Sequence, residues 1–290
     1  MRIGALEAGG TKMVLGIFDE EGHLLEDTKL PTRTPAQTMP EIIAYFQEKG
    51  IDRLGIGTFG PVNLREDSPE YGNITATPKL DWRNYPLLST LREALGVPCA
   101  IDTDVNAAAL AECRLGAARG CGNAVYVTVG TGIGAGICVG GKPVHGLMHP
   151  EVGHMLLKPN PMDPLPQGIC PYHESCLEGL ASGPAIARRA GTSGENLPDE
   201  DPVFTLAAGY LAQMCVNLIV TVSPERIVIG GGVLEREFLL DRIRRETVRL
   251  LGGYVQVPEI TARIDSYIVL PELYPISGLI GAWLLGRDIS

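Results

Sequence analysis

The chain has no cluster of lysine and arginine on one predicted helix face, and its formal net charge is -10. Proteins that bind nucleic acids normally carry a basic patch, so this charge balance argues against such a partner. No apolar run reaches the roughly 18 to 20 residues of a membrane-spanning helix. Residues 1–3 lead into a strand pattern without the apolar stretch of a signal peptide. We therefore expect a cytoplasmic protein that binds neither nucleic acid nor membranes.

The chain also lacks a disulfide framework, because its seven cysteines are odd in number and scattered along 290 residues. Its 45% apolar and 20% charged residues are typical of a globular protein. Single hydrophobic cores usually stop growing near this chain length. We therefore predict two α/β domains, residues 1–120 and residues 121–290.

A faint internal repeat predicts how each domain begins. Residues 3–22 have the pattern of a strand, a Gly-Thr turn, a second strand and a polar turn, and residues 125–143 repeat that order. After each hairpin the pattern changes to alternating helices and strands. Helices are predicted near residues 37–49, 86–95, 183–190, 202–222 and 235–251. The chain thus predicts two similar α/β lobes with a cleft between them.

Glycines in both hairpin turns predict phosphate binding, because backbone N–H groups approach phosphate oxygens most closely where no Cβ intervenes. The first turn contains Gly9, Gly10 and Thr11, and the second contains Thr131 and Gly132. One such turn by itself would favour an ordinary tight turn. The duplication is what indicates a nucleotide site.

A third glycine cluster, formed by Gly230, Gly231 and Gly232, follows an apolar strand and precedes a helix. Ligands of α/β folds bind at the carboxyl ends of strands, so this cluster suits the adenosine end of a nucleotide. Its spacing differs from G-x-G-x-x-G, which argues against a dinucleotide fingerprint.

Residues 100–109 predict a strand that runs into an alanine-rich helix, with Asp104 near the helix start. Asp104 could be a helix cap, and Asp102 or Thr103 could serve the same purpose. In a chain with two phosphate turns, Asp104 is also the candidate base that orients and deprotonates an attacking hydroxyl. Asn106 could then hold a neighbouring hydroxyl.

Two charged residues flank the first turn. Glu7 ends the first predicted strand, where a carboxylate can reach Mg²⁺ directly or through water, although an exposed glutamate without a ligand fits equally well. Lys12 could neutralise phosphate charge, but a solvated lysine is the commoner case.

Cys170, His173 and Cys176 stand at three-residue intervals in a proline-rich loop, and His154 supplies a fourth potential metal ligand. A reduced cytosol disfavours a disulfide between the two cysteines. Because four protein ligands fill a tetrahedral site, we predict a structural Zn²⁺ that stabilises the conformation of this loop. The second ring nitrogen of His154 would then be a fixed donor to a sugar hydroxyl.

Glu151 and Glu178 lie close to the zinc loop in the sequence and could accept hydrogen bonds from further sugar hydroxyls. From the sequence alone, both could also be surface charges.

Together these segments resemble the ROK family (repressors, open reading frames, kinases) and, within it, the fructokinase-like branch. The resemblance covers essentially the whole chain. The segments that carry it are Glu7-Ala-Gly-Gly-Thr11, Gly57-Thr-Phe-Gly-Pro61, Asp102-Thr-Asp-Val-Asn-Ala107, Gly130-Thr-Gly-Ile-Gly134, Glu151-Val-Gly-His154, Cys170-Pro-Tyr-His173-Glu-Ser-Cys-Leu-Glu-Gly179 and Ile229-Gly-Gly-Gly232.

The resemblance implies a two-lobed actin-like ATPase fold, duplicated as in hexokinase and ribonuclease H-like proteins, with ATP, Mg²⁺ and a hexose meeting in the cleft. It implies that Asp104 is the catalytic base, that Thr131 and Gly132 face the nucleotide phosphates, and that Pro184 and the third glycine cluster lie on the nucleoside side. The residues it assigns to the sugar are Asn106, Glu151, His154 and Glu178. A homodimer and domain closure are also implied.

Two departures from the common family pattern point to the fructokinase-like branch. Most of the family reads Asp-x-Gly-Gly-Thr where this chain has Glu7, whose longer side chain must reposition any contact with Mg²⁺. Many relatives use Cys-x-Cys-x₄-Cys where this chain uses Cys-x₂-His-x₂-Cys.

We therefore expect ATP-dependent phosphorylation of a hexose, with fructose as the first choice and mannose, glucose or N-acetylmannosamine as alternatives. A sugar-responsive repressor of the same family would need an added N-terminal helix-turn-helix module, whereas the first catalytic strand begins at Ile3. A sugar sensor without turnover would not need both phosphate turns and Asp104.

Overall fold

The computed structural model describes residues 1–289, which form two compact units. The first unit combines Met1–Arg114 and Lys142–Pro150 with residues 273–289. The second unit combines Leu115–Gly141 with Glu151–Glu272. Both units are therefore assembled from separate stretches of the chain.

The first unit is built on a five-stranded sheet with the order β3-β2-β1-β4-β5. Its strands are β1 (Ile3–Ala8), β2 (Lys12–Phe18), β3 (Leu24–Pro31), β4 (Arg53–Thr58) and β5 (Cys99–Thr103). β1, β2 and β3 are antiparallel neighbours, whereas β4 and β5 run parallel to β1. The first glycine turn consequently lies at the sheet edge where the parallel strands end.

Four helices cover this sheet. They are α1 (Pro35–Lys49), α2 (Leu87–Leu95), α3 (Asp104–Arg114) and, after the second unit, α10 (Ser277–Arg287). α10 packs against α3, β1 and β4, and the ring of its Trp283 stacks on Phe18 at 5.8 Å between centroids. The last helix is thus part of the N-terminal core.

Glycines permit this close packing of α10. A Cβ on Gly55 of β4 would lie 1.8 Å from the Ala282 carbonyl oxygen, and a Cβ on Gly281 would lie 1.9 Å from the Ala107 carbonyl oxygen. Real Cβ atoms do not approach backbone atoms so closely, so both positions require glycine. α10 can therefore lie against both β4 and α3.

The second unit repeats the strand order of the first. Its sheet has the order β10-β9-β6-β7-β8, with β6 (Ala124–Val129), β7 (Ile133–Val139), β8 (Lys142–Pro143), β9 (Arg226–Gly230) and β10 (Ile268–Val269). β6 and β7 form an antiparallel hairpin, and β9 and β10 run parallel to β6. The chain re-enters the first unit at the edge strand β8. This common order confirms the internal repeat.

The helices of the second unit are α4 (Leu177–Ala181), α5 (Gly183–Ala190), α6 (Pro202–Val222), α7 (Phe238–Leu251), α8 (Pro258–Thr261) and α9 (Ile264–Tyr267). α6 is long and apolar enough to cross a membrane. The expectation that no apolar run of this chain reaches that length was therefore wrong. However, 61% of its most apolar window is buried within the protein, and it packs against α4, α5 and α7. This is the environment of a core helix, whose apolar residues face protein on several sides.

The substitution Gly55→Ala tests the approach of α10 to β4. We expect it to lower the free energy of unfolding by about 3 kcal/mol, because the new Cβ overlaps backbone that cannot move alone. Gly209→Ala is the matched control, since no atom lies within 4 Å of its added Cβ and alanine gains up to about 1 kcal/mol over glycine in a helix. Urea unfolding measures both. A Gly55→Ala protein as stable as the wild type would contradict the packing described.

Candidate active site

Asp104 is the first residue of α3 and directly follows β5 at the edge where the parallel strands end. The hydroxyl of Thr103 accepts a hydrogen bond from the Asn106 N–H at 3.0 Å, as an N-cap residue does. The half-buried Asp104 carboxylate accepts from the Val105 N–H at 2.9 Å. Thr103 therefore serves as the helix cap, and Asp104 is not needed for that purpose.

Asn106 lies one turn into α3 and is buried, with 1% of its surface exposed. Its amide nitrogen donates to the Asp102 carboxylate at 2.7 Å. Its amide oxygen is buried and has no hydrogen-bond partner among residues 1–289. Such an oxygen is normally satisfied in a native protein, so it is suited to accept a ligand hydroxyl.

The first glycine turn is tightly closed. The Gly9 N–H donates to the Lys12 carbonyl at 3.0 Å, and a Cβ on Gly9 would lie 2.7 Å from that oxygen. The Thr32 hydroxyl also donates to the Gly9 carbonyl at 2.7 Å. Gly10 is half-buried, whereas Thr11 and Lys12 are exposed at the end of the hairpin. These two side chains are accessible to a ligand.

Glu7 lies in β1 with its carboxyl group against the N-terminus of α10. It accepts a hydrogen bond from the Leu279 N–H, and burial raises its pKa above the usual range. A Cβ on Gly278 would lie 2.7 Å from the Glu7 carboxyl carbon, so glycine leaves room for it. Because burial opposes ionisation, a nearby cation would stabilise the charged form of this carboxylate, which is compatible with the predicted Mg²⁺ contact.

Three backbone segments meet at the second glycine turn within the second unit. The Gly183 N–H, one residue before Pro184, donates to the Gly130 carbonyl at 2.8 Å. Gly231 has a φ of +93°, and a Cβ there would lie 2.5 Å from the Val129 carbonyl oxygen. The predicted nucleotide residues of this unit, Thr131, Gly132, Pro184, Gly230, Gly231 and Gly232, therefore belong to three adjoining segments.

Glu178 of α4 is held against the same turn. One of its carboxylate oxygens accepts from the Ile133 N–H at 2.9 Å, and a Cβ on Gly132 would meet this oxygen at 2.7 Å. Burial, together with the charge of Glu178, raises the pKa of Glu151 to about 7. The two carboxyl groups are therefore neighbours, rather than independent surface charges.

The four predicted metal ligands converge in the second unit. The ligand atoms of His154, Cys170, His173 and Cys176 all lie within 4.8 Å of one another. The Cys170 sulfur is 3.9 Å from the Nδ1 atom of His154 and 3.7 Å from that of His173. A tetrahedral Zn²⁺ with sulfur and nitrogen ligands places those atoms about 3.6 Å apart. The donor set thus fits the metal.

Cys176 also begins α4, where its sulfur accepts from the Gly179 N–H at 3.4 Å. Burial raises the pKa of this thiol to about 11. A metal ion would therefore have to displace a proton that is otherwise held at neutral pH.

A buried ion pair anchors the same loop independently of the metal ligands. Arg189 donates from Nε to Asp163 at 2.8 Å, and the Tyr210 hydroxyl donates to that carboxylate at 2.5 Å. The Asp163 and Arg189 side chains are 0% and 3% exposed. These bonds lower the pKa of Asp163, although burial opposes that shift. The sequence interpretation missed this anchor, because its members are widely separated in the chain.

Two histidines without a predicted role belong to the first unit. His145 Nε2 lies 2.9 Å from an Asp102 oxygen, and His149 Nε2 accepts from the Val62 N–H at 3.2 Å. The signal that could have identified them is their spacing, since two of only five histidines stand within five residues, just before Glu151.

The predicted site residues thus form two groups. The first unit carries Glu7, Gly9, Gly10, Thr11, Lys12, Asp104 and Asn106. The second unit carries Thr131, Gly132, Glu151, His154, Cys170, His173, Cys176, Glu178, Pro184, Gly230, Gly231 and Gly232. Each group combines a glycine turn with carboxylates at the ends of strands or helices.

Two sheets of the same order, each opened by a glycine-turn hairpin, define the two-lobed actin-like ATPase fold. A solved ROK family glucokinase from Streptomyces griseus, in complex with glucose and AMPPNP, matches with a TM-score of 0.79 and 28% identity over 100% of both chains. A ROK hexokinase from Thermus thermophilus matches with a TM-score of 0.76 and 30% identity, covering 99% of this chain and 98% of that one. The predicted fold class is confirmed.

The chain belongs to the ROK family, whose model matches residues 3–289. A putative fructokinase from Bacillus subtilis is 41% identical over 286 residues, which is 99% of this chain and 95% of that protein. A fructokinase from Zymomonas mobilis is 42% identical over 290 residues, or 97% of this chain and 95% of that protein. The expected fructokinase-like branch is therefore confirmed.

His149 generates a prediction about pH. Burial lowers its pKa below the usual value, so the unfolded chain binds a proton there more readily than the folded chain does. Its contribution to stability is present above pH 6.5 and decreases as the pH falls. His149→Gln keeps an acceptor for the Val62 N–H but does not titrate, so we expect a smaller loss of unfolding free energy between pH 7 and pH 5.5 than in the wild type.

Urea unfolding at the two pH values measures this difference. His23→Gln is the control, because Asp19 raises the pKa of the exposed His23. Removal of His23 should therefore shift the pH dependence of the unfolding free energy in the opposite direction. The same pH dependence in the His149→Gln protein and the wild type would contradict the assignment.

Proposed function

We propose that this protein is an ATP-dependent hexose kinase that converts fructose to fructose 6-phosphate. The observation that carries the proposal is the start of α3, where Thr103 caps the helix instead of Asp104 and the buried amide oxygen of Asn106 has no partner among residues 1–289. Fructokinase-named relatives about 41% identical over nearly the whole chain support fructose as the first substrate. Mannose, glucose and N-acetylmannosamine stay alternatives, since fructose, mannose and glucose differ in hydroxyl placement and ring form, which the geometry of the side chains must distinguish.

We assign the sugar hydroxyls to the residues that the family resemblance implies. Asn106 accepts from one hydroxyl through its free amide oxygen. Glu151, whose pKa is raised to about 7, provides a donor, and Glu178 provides an acceptor. With Nδ1 of His154 directed at the metal ligands, its Nε2 atom is the remaining donor.

The nucleotide is assigned to the glycine turns. The N–H groups and hydroxyls at Gly9, Gly10, Thr11, Thr131 and Gly132, with Lys12, face its phosphates. Gly230, Gly231, Gly232 and Pro184 face its nucleoside. Bound Mg²⁺ would neutralise phosphate charge, and Glu7 is the carboxylate of the first turn that would approach it.

In the reaction, a carboxylate oxygen of Asp104 accepts the proton of the attacking hexose hydroxyl. The hydroxyl oxygen forms a bond to the γ-phosphorus while the bond from that phosphorus to the β-phosphate oxygen breaks, so ADP leaves. The glycine N–H groups stabilise the charge that spreads over the phosphoryl oxygens. Exclusion of water would limit wasteful hydrolysis of ATP.

We also propose that His154, Cys170, His173 and Cys176 hold a structural Zn²⁺. With all four positions taken by protein, the metal would supply stability to the loop and no reactive site. The homodimer and the cytoplasmic location stay predictions, as does the absence of nucleic-acid and membrane partners.

Asp104→Asn tests the proposed base. The amide cannot accept the proton, so we expect kcat for fructose to fall by about 10²- to 10⁴-fold with little change in KM. A coupled ADP-release assay with Mg²⁺ and the four sugars measures this. Asp67→Asn, at a 74% exposed carboxylate of the same unit, is the matched control.

Undiminished turnover by a folded Asp104→Asn protein would remove Asp104 from the mechanism. If the wild type binds ATP but no sugar stimulates ADP release, the non-catalytic sugar sensor becomes the better function.

Cys170→Ser tests the metal site, with Cys121→Ser as the matched control because Cys121 is a half-exposed thiol outside the cluster. We expect about one zinc per chain in the wild type and the control, and loss of zinc together with about 3 kcal/mol of stability in Cys170→Ser. Elemental analysis and urea unfolding measure these changes. Wild-type protein that is purified without chelators and contains no zinc would contradict the assignment.

A further inference from the structure

Asp102, at the end of β5, organises three hydrogen bonds within the first unit. One carboxylate oxygen accepts from the Thr103 N–H and from the Asn106 amide nitrogen, both at 2.7 Å. The other oxygen lies 2.9 Å from the Nε2 atom of His145. The Asp102 side chain is 3% exposed and that of His145 is 41% exposed. His145 therefore separates a buried carboxylate from solvent.

These contacts determine where the proton of His145 is. A carboxylate only accepts hydrogen bonds, so the His145 Nε2 atom must carry the hydrogen that points at Asp102. The bond to Asp102 also raises the pKa of His145. Nε2 then cannot accept from the Asn106 amide nitrogen, which lies 3.4 Å away. The Asn106 amide is consequently oriented by Asp102, with its oxygen left for another partner.

We propose that the Asp102–His145 pair is a positioning device that fixes the Asn106 carboxamide with its oxygen toward a hexose hydroxyl, an inference that rests on the proposed function. His145 holds one Asp102 oxygen, which leaves the other at the angle that Asn106 requires. Without His145, water reaches Asp102 and the carboxylate can turn. The Asn106 carboxamide can then adopt two orientations, with either its oxygen or its nitrogen toward the sugar. Only the orientation with the oxygen toward the sugar presents an acceptor.

The alternative is that His145 merely attaches the segment Lys142–Pro150 to the first unit. That segment already has another anchor, because His149 accepts from the Val62 N–H and is 4% exposed. His145 is the more exposed of the two histidines, yet it bonds to the carboxylate that orients Asn106. The geometry favours a role in the site over attachment alone.

Steady-state kinetics tests the proposal through His145→Ala and the conservative variant His145→Gln, whose amide N–H can still donate to Asp102. We expect His145→Ala to raise KM for fructose about tenfold, which corresponds to the loss of one good hydrogen bond, with KM for ATP unchanged. His145→Gln should recover most of that loss. His23→Ala is the matched control, because His23 also pairs with an aspartate, Asp19, at 2.8 Å but is 77% exposed. Wild-type KM values in His145→Ala would overturn the proposal.

A second measurement does not depend on kinase activity. In ¹⁵N-labelled protein, the Asn106 side-chain amide protons, assigned by their loss in Asn106→Asp, should exchange slowly with water in the wild type. Exchange should be faster in His145→Ala than in His145→Gln or His23→Ala. Unchanged exchange in a folded His145→Ala protein would overturn the positioning role. A wild type that shows slow exchange but no sugar-dependent ADP release would instead contradict the proposed function alone.

Discussion

The position of Asp104 depends on how closely α10 packs against α3 and β4. Gly55 and Gly281 bring the backbone of α10 against β4 and against Ala107, which lies one turn after Asp104. A methyl group at either glycine would push α10 outward and remove support from the start of α3. Because core packing transmits small displacements, this affects the angle at which Asp104 leaves the sheet edge. Gly55 of β4 and Gly281 of α10 therefore help to position Asp104 through packing alone.

The topology explains why both units place their candidate site residues at the same kind of sheet edge. In each sheet a hairpin precedes the parallel strands, so the turn of the hairpin and the carboxyl ends of those strands lie together. The turn provides backbone N–H groups. In the first unit the parallel strand β5 also leads directly into α3 with Asp104. In the second unit Glu178 of α4 is held against the turn through the Ile133 N–H.

Local signals in the sequence predicted much of this arrangement. The hairpins have alternating apolar residues and glycine turns, and α6 was predicted with the bounds Pro202–Val222 that the structure has. The cluster of candidate metal ligands was predicted because three of its members occur within seven residues. α10 was not identified, and its return to the first unit depends on close contacts with residues more than 150 positions earlier, for which one sequence contains no local signal.

The same limit applies to the site. Asp104 was predicted as the base from its place before an alanine-rich helix in a chain with two phosphate turns, but only the structure shows that Thr103 caps this helix. His145 could not be connected with Asp102, because 43 residues separate them and nothing in either segment specifies the partner. The Asp163 network with Arg189 and Tyr210 was missed for the same reason. Roles that depend on a distant partner need the tertiary structure.

The glutamate at position 7 illustrates how such a distant partner changes an interpretation. Comparison with the common family pattern suggested that the longer side chain must reposition a contact with Mg²⁺. In the folded chain its carboxyl group accepts from the Leu279 N–H, and Gly278 has no side chain that would exclude it. The positive end of the α10 dipole favours a negative charge there, while burial opposes it. Glu7 is thus tied to the same helix that supports the start of α3, so a displacement of α10 would move Glu7 and Asp104 together.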